Sequence, residues 1–244
     1  MNTRIVIIPT YNEIENIQAI IEKVLSLNPV FDLLIVDDGS PDGTAACVKK
    51  LQIEHPNRIH LLEREGKLGL GTAYIAGFNY ALEKSYEYIF EMDADFSHNP
   101  EDLIRLYEAC ANQGASMSIG SRYINGVNVV NWPIGRVLMS YFAGIYVRLI
   151  TGMPMQDATA GFVCYRRKVL ETIPLDQIKF IGYAFQVEMK FTTWKYGFKM
   201  TEVPIIFTDR TKGESKMSAN IFKEAIFGVI QLKINSLFKR YQAA

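Results

Sequence analysis

Apolar and polar positions along this chain follow two periods that take turns. Short apolar runs at 5–8, 33–36, 59–62, 88–92 and 116–120 read as strands, each bounded by turn residues. Between them, at 13–27, 43–54, 72–84 and 100–113, apolar residues recur every three or four positions, the spacing of one helix face. The last of these opens on Pro100, which suits a first helical turn because its missing N–H has no partner there. Strand and helix in alternation predict an α/β domain with a mostly parallel sheet flanked by helices. After Ser121 the alternation loosens into a helix at 134–151, a Gly/Pro loop, a strand at 162–165, a helix at 183–196 and a strand at 200–207. A polar stretch at 208–216 then leads to a last amphipathic helix. With no internal repeat, low-complexity tract or linker, the expected division is one domain at 1–217 and a C-terminal amphipathic segment at 218–244.

Ligands of open α/β sheets bind beyond the carboxyl ends of the strands. Polar clusters at 10–13, 37–42 and 93–98 fall at three such ends. The run Tyr88-Ile89-Phe90-Glu91-Met92-Asp93-Ala94-Asp95 brings two carboxylates, one residue apart, to the end of an apolar strand. On an extended chain alternate residues point the same way, so Asp93 and Asp95 can converge on one hard cation shared with substrate phosphates, Mg²⁺ or Mn²⁺. The alternative is a turn in which both cap the next helix. Pro9-Thr10-Tyr11-Asn12-Glu13 offers a helix N-terminus and an aromatic face, or simply a capped helix. Asp37-Asp38-Gly39-Ser40-Pro41-Asp42-Gly43 is a turn, or a carboxylate facing a ribose or base. Gly66-Lys67-Leu68-Gly69-Leu70-Gly71 precedes a helix but lacks the G-x-G-x-x-G spacing and follows the third strand, which argues against a dinucleotide cofactor. Arg122, Arg136, Arg210, Lys212 and Lys216 would form a phosphate clamp if they converge. Asp157, in a small-residue loop, is a general base, an arginine partner or a turn residue.

Composition narrows the partners. A chain of 244 residues with 49% hydrophobic content buries a sizeable core. Its 26 basic residues balance 26 acidic ones, so no global field draws it to nucleic acid, and an anionic ligand must be met locally. Cys47, Cys110 and Cys164 lie far apart and fit no zinc spacing, as expected of buried thiols in a reducing compartment. Nothing at the N-terminus has the pattern of a signal peptide. The nearest approach to a membrane span is the run 221–238, interrupted by Lys223, Glu224, Gln231, Lys233 and Asn235. A cytoplasmic protein is expected.

Taken in order, these segments resemble the inverting glycosyltransferases of family 2, in particular the branch that acts on polyprenyl (dolichyl-type) phosphates. The likeness rests on Pro-Thr-Tyr-Asn-Glu at 9–13, Asp-Asp-Gly-Ser-Pro-Asp-Gly-Thr at 37–44, Lys-Leu-Gly-Leu-Gly-Thr-Ala-Tyr at 67–74 and Met-Asp-Ala-Asp-Phe-Ser-His-Asn-Pro at 92–100. Gly-Ser-Arg-Tyr at 120–123, Gly-Tyr-Ala-Phe-Gln-Val-Glu-Met at 182–189 and Asp-Arg-Thr-Lys-Gly-Glu-Ser-Lys-Met at 209–217 complete it. It implies a GT-A fold, a Rossmann-like sheet that binds GDP-mannose. By the same resemblance Pro9, Tyr11, Glu13, Val36 and Asp38 surround the nucleoside. Asp93, Ala94, Asp95, Arg122, Arg210 and Lys216 face the rest of the donor. Asp93 and Asp95 hold Mg²⁺ or Mn²⁺, with Ser97 at the place of a third ligand. Asp93, Asp95, Arg122, Arg136 and Asp157 form the catalytic set, Arg136 toward the lipid phosphate. Asp157 departs from the family's Asp-x-x-Ser/Thr-Gly-Phe pattern, because Ala160 stands where Ser/Thr is usual.

The chemistry follows from the substrates. A phosphate monoester has its second pKa near about 6, so a lipid phosphate attacks as an anion and needs no general base. What remains is repulsion between two anions and charge building on the departing diphosphate, which metal and arginines offset. A polyprenyl acceptor also gives the C-terminal helix a purpose. Phe222, Ile226, Val229 and Ile230, with Leu237 and Phe238 beyond, make it either a core helix or an interfacial one bearing Lys223, Lys233, Lys239 and Arg240. Met139, Phe142, Tyr146 and Leu149 offer a second such face, so peripheral attachment to the cytoplasmic side of a membrane is expected. The resemblance also allows a small membrane-anchoring subunit. Competing readings are transfer to a glycan hydroxyl from another nucleotide sugar, and a noncatalytic nucleotide-sugar-binding protein.

Overall fold

The computed structural model describes residues 2–182, 184–210 and 220–241, the side chains of 220–226 excepted. The first half alternates as the pattern predicts: β1 (Arg4–Thr10), α1 (Ile17–Leu25), β2 (Asp32–Asp37), α2 (Thr44–Glu54), β3 (Ile59–Glu63), α3 (Leu70–Glu83), β4 (Tyr88–Glu91), α4 (Asp102–Ala111) and β5 (Met117–Ser121). The second half contains β6 (Val129–Val130), α5 (Ile134–Thr151), β7 (Val163–Arg166), α6 (Arg167–Thr172), α7 (Ala184–Lys195), β8 (Met200–Pro204), β9 (Phe207–Thr208) and α8 (Asn220–Phe238).

Seven strands form one sheet in the order β3-β2-β1-β4-β7-β5-β8. β7 runs antiparallel to both its neighbours, and the other pairs are parallel. Successive side chains of β1 go to opposite faces, as a pleated strand requires. Ile5 and Ile7 join the core under α3, α7 and α8, while Val6 and Ile8 join the core under α1, α2 and α4. Burial on both faces is why these strands are continuous apolar runs and not alternating ones.

The strand expected at 200–207 is two. β8 ends at Pro204, which has no N–H to carry the ladder on, and β9 crosses to pair with β6. β4 likewise stops at Glu91, so Asp93 and Asp95 stand on a bent loop, with Phe96 at φ 60°, and not on the extended strand the sequence argument assumed. Loop geometry, not strand alternation, brings them together.

Among the described residues the helix long and apolar enough to cross a membrane is α5, with 18 residues and a mean hydropathy of 1.2, and not the 221–238 run. Gly144, Val147 and Thr151 face the domain, while Ile134, Leu138, Phe142 and Leu149 make an exposed apolar stripe. Tyr146, expected on that stripe, packs against the core instead. α8 is apolar on two sides. Val229 and Leu232 are in the core, whereas Phe227, Ile230, Ile234, Leu237 and Phe238 are exposed, so the helix has both a core side and an outward side. Phe222, Lys223 and Ile226 lie outside the described side chains.

Candidate active site

Strands β1, β2 and β3 are laid down in one direction and β4 on the other side of β1, so the sheet has a switch point between β1 and β4. A cleft is expected at the carboxyl ends there. A cavity of about 540 Å³ occupies that place, within the size range of small-molecule sites. Of the residues singled out from the sequence, Pro9, Tyr11, Glu13, Asp38, Asp93, Ala94, Asp95, Ser97, Arg122, Arg136 and Arg210 line it. Val36 does not. Its side chain is wholly buried in the core, so the expectation that it surrounds a nucleoside fails for the side chain. Lys212 and Lys216 lie outside the described residues.

On the β1–β2 side the polar motif divides its labour. Asp37 is a turn residue, since Thr10 Oγ1 (2.8 Å), Ser40 N (2.9 Å) and Ser40 Oγ (2.6 Å) all donate to it. Asp42 takes the Ile14 and Thr44 N–H groups, both at 3.0 Å, and closes the turn into α2. Asp38 alone of the three faces the cavity, where Arg64 Nε donates to it at 2.7 Å. Burial raises the Asp38 carboxyl above its usual range, and Arg64 only partly opposes this. Lys67 sits 5.4 Å from the Tyr11 ring centroid, completing a rim of aromatic and cationic groups. The helix after Gly69 can pack so near only because residue 71 is glycine. A Cβ on Gly71 would stand 2.8 Å from both the Phe180 carbonyl oxygen and the Phe185 ring.

Beyond β4, Asp95 accepts the Ser97 N–H at 3.0 Å and pairs with Arg210 at 2.8 Å. Burial, then the neighbouring charge of Asp95, pushes the Asp93 carboxyl up to about 7. Two carboxylates in this position call for a proton or a cation between them. Ser97 Oγ is buried and has no hydrogen-bond partner among the described residues. Two carboxylates and one such hydroxyl are hard oxygen donors suited to Mg²⁺ or Mn²⁺. Among the described residues no cluster of three acidic, imidazole or thiol groups forms a complete cage, so this donor set suits a cation whose remaining ligands come from substrate. His98 accepts the Asp93 N–H on Nδ1 at 3.3 Å and stacks 4.8 Å from Phe162. Its burial lowers its pKa to about 4, so the ring is neutral.

The opposite wall is cationic and aromatic. Arg122 forks onto Asp157, with Nε to Oδ2 and Nη2 to Oδ1 both at 2.7 Å, and its own backbone N–H adds a third bond at 3.0 Å. Burial would raise the Asp157 carboxyl, but the Arg122 charge and hydrogen bonds outweigh it and hold the pKa below the ordinary value. Asp157 does not line the cavity, and both its oxygens are committed. In this geometry it is an arginine partner. Arg136 lies 4.1 Å from the Trp132 ring centroid and pairs with Asp209 at 2.9 Å. β9 and the segments that follow β6 and β9 bring Phe207, Trp132, Asp209 and Arg210 to the cavity wall.

Sequence reasoning passed over Tyr74, His98, Trp132, Gln186 and Asp209 as cavity residues. Four of them stand inside quoted motifs, but nothing in their spacing separates a wall residue from a core one. Trp132 carried a weak signal, an aromatic beside a basic helix start.

Residues 5–174 match the family model described as glycosyl transferase family 2. A polyprenol monophosphomannose synthase of Mycolicibacterium smegmatis is 45% identical over 236 residues, 97% of this chain and 89% of that one. An undecaprenyl-phosphate mannosyltransferase of Micrococcus luteus is 46% identical over 223 residues, 91% and 90% of the two chains. Among solved structures, glucosyl-3-phosphoglycerate synthase from Mycobacterium tuberculosis, in complex with Mn²⁺, UDP and phosphoglyceric acid, superposes with a TM-score of 0.68 at 17% identity, covering 96% of this chain and 78% of that one. A mannosyltransferase from Pyrobaculum calidifontis in complex with GDP-Man and Mn²⁺ gives 0.62 at 17% identity, covering 99% and 66%. The two structures agree in fold alone, whereas the family model and the two relatives cover most of the sequence. The expected GT-A architecture is therefore the one observed, and the chain is an enzyme of glycosyl transferase family 2.

Proposed function

We propose that this chain transfers mannose from GDP-mannose to the phosphate of a polyprenyl monophosphate, with inversion at the anomeric carbon, assisted by Mg²⁺ or Mn²⁺. The observation that carries this reading is the state of the acids on the acceptor side. Asp157 is locked on Arg122 and Asp209 on Arg136. Neither is set to deprotonate a hydroxyl, and a phosphate monoester does not need it. Both named relatives are enzymes of polyprenyl phosphate chemistry by their descriptions, which supports the same acceptor.

In the reaction an acceptor phosphate oxygen forms a bond to the anomeric carbon as the bond from that carbon to the GDP oxygen breaks, and the electron pair leaves with GDP. The nucleoside lies by Pro9, Tyr11, Glu13 and Asp38. Asp93, Asp95 and Ser97 would hold the cation, whose charge offsets that of the departing diphosphate when bound. Arg210 and Arg122 draw the diphosphate toward the floor, and Arg136, at the start of α5, meets the acceptor phosphate. Lys216 belongs to the same clamp by its place in the sequence.

The lipid comes from the side of α5 and α8. Their exposed apolar stripes lie on helices that pack against each other, and Arg136 stands at the α5 end that enters the cavity. Such a face would seat the domain peripherally on the cytoplasmic leaflet.

The test is turnover of purified protein with labelled GDP-mannose, Mn²⁺ or Mg²⁺ and a short-chain polyprenyl phosphate. UDP-glucose and an Asp95→Ala variant run alongside. Metal-dependent mannosyl lipid from the intact protein only is the expected result. Donor binding without product on every lipid phosphate would transfer the assignment to another acceptor.

A further inference from the structure

Lys190 on α7 is wholly buried, and no step above uses it. A lysine in a core is unfavourable unless its charge is paired and its three donors are met. Here its Nζ donates to the Ala160 carbonyl at 2.6 Å, to Gln186 Oε1 at 3.0 Å and to the Gln186 carbonyl at 3.2 Å. Gln186 Nε2 in turn donates to Glu91 Oε2 at 2.7 Å. The chain Glu91, Gln186, Lys190 therefore ties the end of β4, which carries the Asp93 loop, to the loop 157–161 that forms the facing wall.

The bond to Ala160 has a consequence for its neighbour. The Ala160–Gly161 peptide is trans and planar, so its C=O and N–H point in opposite directions. With the carbonyl drawn back onto Lys190, the Gly161 N–H is turned away from it. Gly161 lines the cavity, and its N–H has no partner among the described residues. A second observation concerns the residue type. A Cβ at 161 would meet nothing nearer than Gln186 Nε2 at 3.9 Å and His98 Cε1 at 4.0 Å, ordinary contacts. Its φ is not positive either. Neither packing nor backbone conformation asks for glycine here, so what glycine provides is close approach of a ligand to the main chain.

Resting on the donor assignment above, we propose that the Gly161 N–H donates a hydrogen bond to a hydroxyl oxygen of the transferred hexose, and that Lys190 is the positioning residue that aims it. A main-chain donor fixed in this way needs no reorganisation when the sugar arrives. It also makes the sugar subsite independent of the side chain at 160, which is alanine in this chain.

Labelling with ¹³C-carbonyl alanine and ¹⁵N-glycine isolates amides of Ala–Gly pairs, of which the sequence has three, at Gly77, Gly144 and Gly161. The first two lie inside α3 and α5 and serve as internal controls. Titration with GDP-mannose and Mg²⁺ should move the Gly161 amide proton downfield, and titration with GDP and Mg²⁺ should not. Gly161→Ala keeps the N–H but sets a Cβ where the sugar must approach, so it should keep the melting temperature and lose about tenfold or more in kcat/KM, as expected when one hydrogen bond cannot close. Lys190→Met, with Glu91→Gln added where the single variant is unstable, should abolish the Gly161 response while GDP still binds.

Three results would overturn the proposal: a Gly161 amide unmoved by bound GDP-mannose, an equal shift with GDP alone, or Gly161→Ala and Lys190→Met with unaltered kcat and KM. Absence of any binding of GDP-mannose is a different failure. It would remove the donor assignment itself and this inference with it.

Discussion

Asp157 was legible as a chemical residue but not as a role, because the partner that decides it lies 35 positions away at Arg122. Asp93 and Asp95 were easier to place together, since they are near in the chain as well as in space, although the Arg210 partner of Asp95 lies far along the chain. The difference sets what each substitution should do. Asp157→Asn leaves the Arg122 guanidinium buried without its charge partner, at a cost of about 3–5 kcal/mol. Urea denaturation of the variant should show that loss together with lost turnover, whereas a surface role would leave stability intact. The pH dependence has a definite sign. The folded pKa of Asp157 is below its unfolded value, so the pair contributes fully above about pH 4. The contribution disappears as pH falls through the lowered folded pKa. Acid unfolding of the wild type should therefore include a component below pH 4 that the Asn variant lacks. Tyr74 has the opposite balance. Its ring is stacked on Phe78 and Phe185, but its hydroxyl is buried without a hydrogen-bond partner among the described residues. Tyr74→Phe removes an unsatisfied polar atom and keeps the packing, so the melting temperature of the free protein should stay level or rise. A fall of several degrees would show that the hydroxyl is satisfied in solution.

The elements that the sequence announced are those whose burial repeats along the chain. β1, β2 and β4 read as apolar runs because both faces are covered, and α1 and α4 read as helices because one face is. β6 and β9, two residues each, have no such signature: they exist because Pro204 ends β8 and the chain finds another edge. The placement of α8 was illegible for a related reason. Its residues are apolar on two sides, and periodicity cannot say which side meets protein. Val229 and Leu232 join the core beneath α5 and α7, and Gly228 lies so near Phe180 that a Cβ would stand 2.7 Å from its ring. A chain ended at 217 would uncover that part of the core. Its loss of stability should exceed about 2 kcal/mol, the low end for emptying one large buried site, measurable as a lower midpoint in urea. A truncated chain as stable as the full one would make α8 an appendage.

At the scale of the whole molecule, the sheet order places the proposed donor side at β1 to β3 and the proposed acceptor side under α5 and α8, with the Asp93 loop between them. How such a molecule would hold a membrane depends on its charge. The chain has 26 basic and 26 acidic residues, so no net field draws it to an anionic surface. Several cations near the apolar stripes are engaged at home: Lys233 on the Thr151 carbonyl at 3.1 Å, Lys239 on Gln177 at 3.0 Å and Arg148 on Gln156 at 2.6 Å. Adhesion would then be carried by burial of Ile134, Leu138, Phe142 and Leu149 on one helix and Phe227, Ile234, Leu237 and Phe238 on the other, all of them exposed. Hydrophobic burial does not weaken with ionic strength, whereas attraction between charges is confined to about 3 Å at 1 M salt. Flotation with zwitterionic vesicles should succeed, and it should persist when salt is raised from about 0.1 M to about 1 M. Phe142→Glu with Leu149→Glu should release the protein without lowering its melting temperature, since both side chains are already exposed. Release by salt from anionic vesicles, with no binding to zwitterionic ones, would assign the adhesion to basic residues and leave the two stripes without that role.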